Sequence, residues 1–304
     1  MQKEEKQFRG TLITIAGASM WGLCAVAGKF VMGTKGVDPV WMVTLRLLTA
    51  GMILLGLACV QTKGRGFFDI WKDKHDVLRL LVIAVFAFAV CQTSYFGAIH
   101  LANAGVITAI QQTAPIFVLL WVLLKEKRVP KNVEIIVLAM VILGAFMLAT
   151  GGNIKVFVIP PSALVLGIIS AITCAMYTVL PAKLIQKYGT FYAVGWGMLL
   201  AGVLLIPVSK LWIVSGEWDM GTFLGFGFVV IFGTVVAFGA FLYGVTIVGS
   251  LKGSILGLIE PVVATFSSII LLKQTFSLTD LIGIVTILGG VTILSVYKER
   301  KLVA

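Results

Sequence analysis

Thr108–Leu124 reads TAIQQTAPIFVLLWVLL, and Gly253–Leu272 reads GSILGLIEPVVATFSSIILL. Each is an apolar run of the length that crosses a bilayer core, about 20 residues. Each carries a proline in its interior, a position that membrane helices tolerate better than soluble ones. The two stretches align without a gap, and the match extends outward, Ala104–Leu148 lying on Ser250–Leu294 at an offset of 146 residues. Pro115 meets Pro261, Lys127 meets Lys273, Ile136 meets Ile282 and Gly144 meets Gly290, while Thr108 meets Ser254 and Glu134 meets Asp280. The run Trp21–Lys29 is similar in the same way to Cys174–Lys183. The chain reads as two related halves.

The rest of the sequence sets these halves in a membrane. Of 304 residues, 59% are hydrophobic and 12% charged, with mean hydropathy +1.06 and net charge +11. A water-facing protein carries roughly 25% charged residues, so this chain cannot cover itself with them. Four Cys and two His exclude a disulfide scaffold and a multi-His metal centre. The basic residues punctuate apolar runs instead of clustering on a folded surface, which excludes a nucleic-acid binder. Ten apolar runs stand near 11–32, 38–60, 77–99, 103–124, 133–150, 161–182, 190–212, 221–246, 252–272 and 279–297. They lack the ten-residue alternation of membrane strands, so the expectation is an all-α integral membrane protein of ten transmembrane helices. Lys3, Lys6 and Arg9 precede the first run as in a secretory signal, but its apolar stretch of about 20 residues is too long for a signal core.

Two halves of five spans, 1–152 and 153–304, must insert with opposite orientation because five is odd. An inverted five-plus-five repeat of this kind builds many secondary transporters, with the substrate site near the midplane. With the N-terminus inside, eighteen of the 24 Lys and Arg fall on the cytoplasmic side, four (Lys35, Lys155, Lys210, Lys273) outside and two (Lys29, Arg46) within spans. The positive-inside rule then places both termini in the cytoplasm, at the cytoplasmic membrane.

These residues resemble the ten-helix drug/metabolite transporter superfamily of EamA-type exporters across essentially the whole chain. The resemblance rests on ASMWGLCAVAGK (Ala18–Lys29), LRLLTAGMILL (Leu45–Leu55) and the two proline-centred penultimate helices. In that family these helices usually end in Gly-Glu; here the position reads Arg128 and Gln274, with Glu126 displaced by two. The resemblance implies alternating access and, commonly, export of amino acids, amines or other metabolites, in several members driven by proton exchange.

Glu260 is the single acid deep in a span. A charge there costs about 2.5–3.5 kcal/mol, so it belongs on an interior face or a wet cavity, and Gly253, Gly257, Ala264 and Ser267 form the stripe beside it. Pro261 frees the carbonyl of Gly257 next to it. Arg46 enters its span from the other side, about 12 Å deep at 1.5 Å per residue, within roughly 6 Å of the depth of Glu260. The two can pair, or Arg46 can meet a substrate carboxylate; a purely structural Arg46 and a Glu260 that caps its broken turn are the plainer alternatives. Thr108, Gln111 and Gln112 with Pro115 form one polar group; Phe88, Gln92 and Tyr95 a second; Ser170, Thr173, Tyr177 and Pro181 a third; Gly239, Tyr243 and Thr246 a fourth. Pointing inward, they line an amphipathic cavity; pointing sideways, they only bond helix to helix. Trp21, mid-span, is a stacking candidate, Trp41 an interfacial-belt residue, and Lys29 a snorkelling one. The cysteines read as small packing residues.

The expected function is secondary active transport of a small amino-acid-like or amine solute, in the export direction, with the halves rocking about Pro115 and Pro261. The expected partners are the solute, the lipid bilayer and protons. No cofactor or metal is called for, no phosphate-cradling loop supports an ATP-driven pump, and one chain suffices to complete the cavity. The alternative is a passive facilitator or channel. An intramembrane enzyme lacks the converging acids and His it would need.

Overall fold

A computed structural model describes residues 2–153 and 158–303, so Lys155 lies outside the described residues. These residues are helical, with no strand among them. The rods are α1 (Gln2–Gly33), α2 (Pro39–Thr62), α3 (Lys74–Leu101), α4 (Ala104–Glu126), α5 (Asn132–Thr150), α6 (Pro161–Val179), α7 (Thr190–Ser209), α8 (Met220–Val248), α9 (Ser250–Gly257 continuing as Ile259–Leu272) and α10 (Leu278–Val303). Among the described residues, nine helices are long and apolar enough to cross a membrane, and Pro161–Tyr177 of α6 is a shorter apolar helix. The chain is an all-α membrane protein. α1 begins well before its apolar run, carrying Lys6 and Arg9 on its first turns.

Local chemistry starts and stops these rods. Asp38, Asp73 and Asp219 cap α2, α3 and α8 by accepting the amides of Trp41, His75 and Thr222. At α5, Glu134 reaches back to the amide of Lys131 at 2.8 Å, and at α10 Asp280 does the same to Ser277 at 2.8 Å. Arg128 adds a two-pronged bond to Glu134 at 2.8 Å and holds Glu126 at 2.7 Å. That ion cluster closes the α4–α5 turn. Four rods stop on a lysine in the left-handed region: Lys63 after α2, Lys127 after α4, Lys210 after α7 and Lys273 after α9.

Two helices are locally underwound and widened. Ile83–Val90 of α3 and Ile231–Val236 of α8 are wound as π-helix, a form that concentrates at functional sites. Two others break: α4 at Gln112–Thr113 and α9 at Leu258, each through a tightened turn with ψ near 0.

The rods pack in crossed pairs: α2 lies along α7, α5 along α10, α1 against α8 and α9, and α6 against α3 and α4. Small residues let backbones touch. A Cβ on Gly144 of α5 would stand 2.7 Å from the Gly283 carbonyl of α10, and one on Gly105 of α4 2.8 Å from Thr265 Cα of α9. The belt position expected for Trp41 is not found. Trp41 is only 6% exposed and meets Trp218 edge-on at 5.4 Å. The loop before α8 folds over it, held by Lys35–Asp219 at 2.5 Å and by the Glu217 amide on the Lys35 carbonyl at 2.9 Å.

Candidate functional site

Where the crossed pairs meet, a cavity of about 120 Å³ remains, room for about four waters. Seven rods line it. α1 contributes Trp21 and Cys24, α2 Arg46, α3 Cys91, Gln92, Tyr95 and Phe96, and α4 Gln111. α6 contributes Cys174 and Tyr177, α8 Phe238 and α9 Glu260.

Arg46 is 5% exposed and bonds three ways. Nη1 donates to Gln92 Oε1 at 2.9 Å, Nε to Thr234 Oγ1 at 2.9 Å, and Nη2 to the Gly233 carbonyl at 3.4 Å. Thr234 and Gly233 lie in the π-wound segment of α8, whose widened turn opens a seat for the guanidinium; Thr234 itself donates five residues back to Val229 at 3.0 Å. Phe96 lies under the guanidinium at 5.0 Å. Glu260, half-buried on α9, accepts from Gln112 Nε2 at 3.1 Å. The direct Arg46–Glu260 pair, one of the two expected options, is not made. Both charges sit in one void, each held by neutral partners.

Of the polar candidates Gln92, Tyr95, Gln111 and Tyr177 line this space, while Thr108 and Gln112 stand behind it and reach it through Tyr95 and Glu260. Tyr95 bonds Thr108 at 2.8 Å, and Thr108 donates back to the Ala104 carbonyl. Gln111 approaches Cys91 Sγ at 4.0 Å. Trp21 meets Phe238 edge-on at 5.2 Å and Phe241 at 4.8 Å, and Tyr177 meets Phe88 at 5.5 Å and Phe238 at 6.1 Å. Pro115 and Pro261 follow the two breaks by a few residues, and Pro261 leaves the Gly257 carbonyl without its helical donor. Tyr243 is the exception. It is 60% exposed on the outer flank of α8 and takes no part in the cavity. On that turn Gly244 packs on Thr14 of α1, so the small residue, not the amphipathic one, faces inward.

Lys29 turns back to bond the carbonyls of Ile99 and His100 at 2.7 Å, capping the end of α3. Three of the four cysteines line the cavity, and Cys91 and Cys174, 83 residues apart in the chain, are thiols on the same wall. No local cysteine spacing signals that placement. Phe96, Phe238, Gly233 and Thr234 are also outside the sequence-based candidates; the first three carry no polar signal to find them by, and Thr234 carries only a single hydroxyl within an apolar run.

The EamA-like transporter family matches residues 8–150 and again residues 161–296. The chain belongs to the EamA-like transporter family. Among relatives of this EamA-like protein, the inner membrane transporter YicL of Salmonella typhimurium is 31% identical over 297 residues, covering 96% of this chain and 97% of that one. The transporter YetK of Bacillus subtilis is 29% identical over 311 residues, with 97% and 89% covered. A solved crystal structure shares the fold with TM-score 0.63 at 17% identity, covering 96% of this chain and 98% of its own. The EamA-like chain is a multi-pass membrane transporter.

Proposed function

We propose that this transporter is a secondary active carrier that exports small amino-acid-like or amine solutes across the cytoplasmic membrane, with Arg46 facing the solute carboxylate and Glu260 its amino group. The observation that carries the reading is the central cavity, which holds one guanidinium and one carboxyl, unpaired with each other and walled by aromatic rings. Such a void suits a small solute with a charged end and an apolar body. It is narrower than the 300 Å³ or more of an open ligand site, as an occluded carrier would be.

The carrier is read as ten spans in two inverted halves, 1–152 and 153–304, with α6 as the tenth span. Four features recurring near the 146-residue offset support this. The breaks fall at Gln112 and Leu258, the π segments end at Val90 and Val236, the capping acids are Glu134 and Asp280, and left-handed lysines close α4 and α9 at Lys127 and Lys273. Two separate family matches, residues 8–150 and 161–296, also support reading two halves. Because α1 packs with α8 and α9, and α6 with α3 and α4, the moving bodies are these exchanged triplets. They rock against each other at the breaks before Pro115 and Pro261, opening the cavity to one side at a time. With the basic residues inside, both termini lie in the cytoplasm.

Flux from proteoliposomes against a panel of amino acids and amines, with and without a pH gradient, tests the reading. Accumulation driven by the gradient and lost in Glu260→Gln is expected, since the carboxyl would trade a proton for the solute. Equilibration that ignores both gradient and Glu260 would assign a passive facilitator instead.

A further inference from the structure

The two broken helices beside the cavity touch each other directly. At Gly105 the backbone of α4 lies on that of α9, leaving no room for a side chain beside Thr265. Seven residues along α4, about 10 Å away, Gln112 donates to Glu260 at 3.1 Å. Gln112 is the residue at which α4 breaks, and Glu260 lies two residues past the break of α9 at Leu258. The first contact is steric and has no alternative partner. The second is a neutral amide on a carboxyl, and an amide N–H is a weaker version of what an ammonium offers, because the ammonium adds the attraction of a full opposite charge in a site shielded from bulk water.

We infer that Gln112 is a built-in stand-in for the amino group of the solute. In the empty carrier its amide holds the Glu260 carboxylate and latches α4 to α9. A solute ammonium takes the carboxylate, displaces the amide and frees the two helices to turn about Gly105–Thr265. The inference rests on the transport reading and on Glu260 as the solute's acceptor. It adds a selection step, because a solute without a cationic group cannot outbid the amide and so cannot open the latch. It also costs affinity, since solute binds only the fraction of carriers whose latch is open.

The test uses the full chain in lipid nanodiscs and in proteoliposomes. Hydrogen–deuterium exchange is followed along 104–113 and 255–265, with methylammonium chloride as the probe and sodium chloride as the ionic control. In the wild type, methylammonium is expected to raise exchange in both segments. In Gln112→Leu exchange is expected to be raised already, with no further response; in Glu260→Gln methylammonium is expected to have no effect. Gln112→Asn, too short to reach Glu260, should repeat the Leu result and guards against a folding defect. For solutes of the panel that are carried, Gln112→Leu should lower KM about tenfold, the factor of one net hydrogen bond of about 1.4 kcal/mol. Wild-type exchange that ignores methylammonium, or Gln112 variants that exchange like the wild type, would overturn the latch. Exchange that responds while no panel solute moves would leave the latch standing and remove the transport reading; Glu260-dependent flux with silent Gln112 variants would do the reverse.

Discussion

Arg46 shows what one side chain can decide. Its planar fork reaches an amide on α3 and a hydroxyl and carbonyl on α8 at once, which a lysine ammonium at the end of a flexible stem cannot reproduce. Arg46→Lys keeps the charge and loses at least one of these bonds, so unfolding in detergent is expected to shift by about 1.5–3 kcal/mol, the worth of a bond to a charged group. Equal thermal midpoints for variant and wild type would show that the seat in α8 contributes nothing. At this scale the sequence was informative about depth and poor about partners. Arg46 and Glu260 were legible because charge is rare in a span, and Gln92, Tyr95, Thr108, Gln111 and Gln112 because polar groups there need company. That Arg46 would choose Thr234 was not legible, since nothing in the run Ile231–Val236, one threonine among otherwise non-polar residues, announces the π turn that presents it.

The rods themselves carry two further expectations. Lys63, Lys127, Lys210 and Lys273 all adopt φ near +50°, a conformation that costs an L-residue roughly 1–2 kcal/mol and suits glycine at a helix end. Each exposed Lys→Gly change is expected to stabilise the fold by about 1 kcal/mol, with Lys→Ala giving no gain; thermal unfolding of the single variants measures it. Between rods, Gly144→Ala would drive a methyl toward the Gly283 carbonyl and part α5 from α10. A loss of about 1–3 kcal/mol is expected, against none for Gly56→Ala, where a Cβ meets nothing within 4 Å. The proline-bearing repeat announced the breaks in α4 and α9. Tyr243 shows where element-level reading fails: polarity suggested the inner face, but Gly244 docked under Thr14 set it.

Across the whole molecule, polar clasps join the halves at opposite ends. At one end Asp76 takes Lys187, Tyr188 and Arg79 at 2.6, 2.9 and 2.8 Å. At the other, Asp219 takes Lys35, and that ammonium with the Thr222 amide holds its carboxyl down at about 2. A carboxyl lowered on folding supports the fold above its ordinary value near 4 and loses that support as pH falls toward about 2. Pepsin nicking of the 211–219 loop is therefore expected to rise between pH 4 and pH 2 in the wild type relative to Asp219→Asn, which lacks the charge throughout. A parallel pH response in both would mean the clasp does not anchor the loop. The membrane class was plain from composition. The exchange of first helices between triplets was not, because adjacency across 200 residues leaves no local period to read.

That exchange bears on how the chain is made. α1 emerges before α8 and α9, yet its glycines Gly10, Gly17 and Gly22 rest on Ile247, Phe241 and Glu260 of those later helices. The first helix must wait in lipid, its notches unfilled, until the eighth and ninth have been made. A ribosome stalled after the fifth helix would leave a product with no mate for its own beginning, and supplying residues 153–304 as a separate polypeptide is the means by which that orphan would be completed.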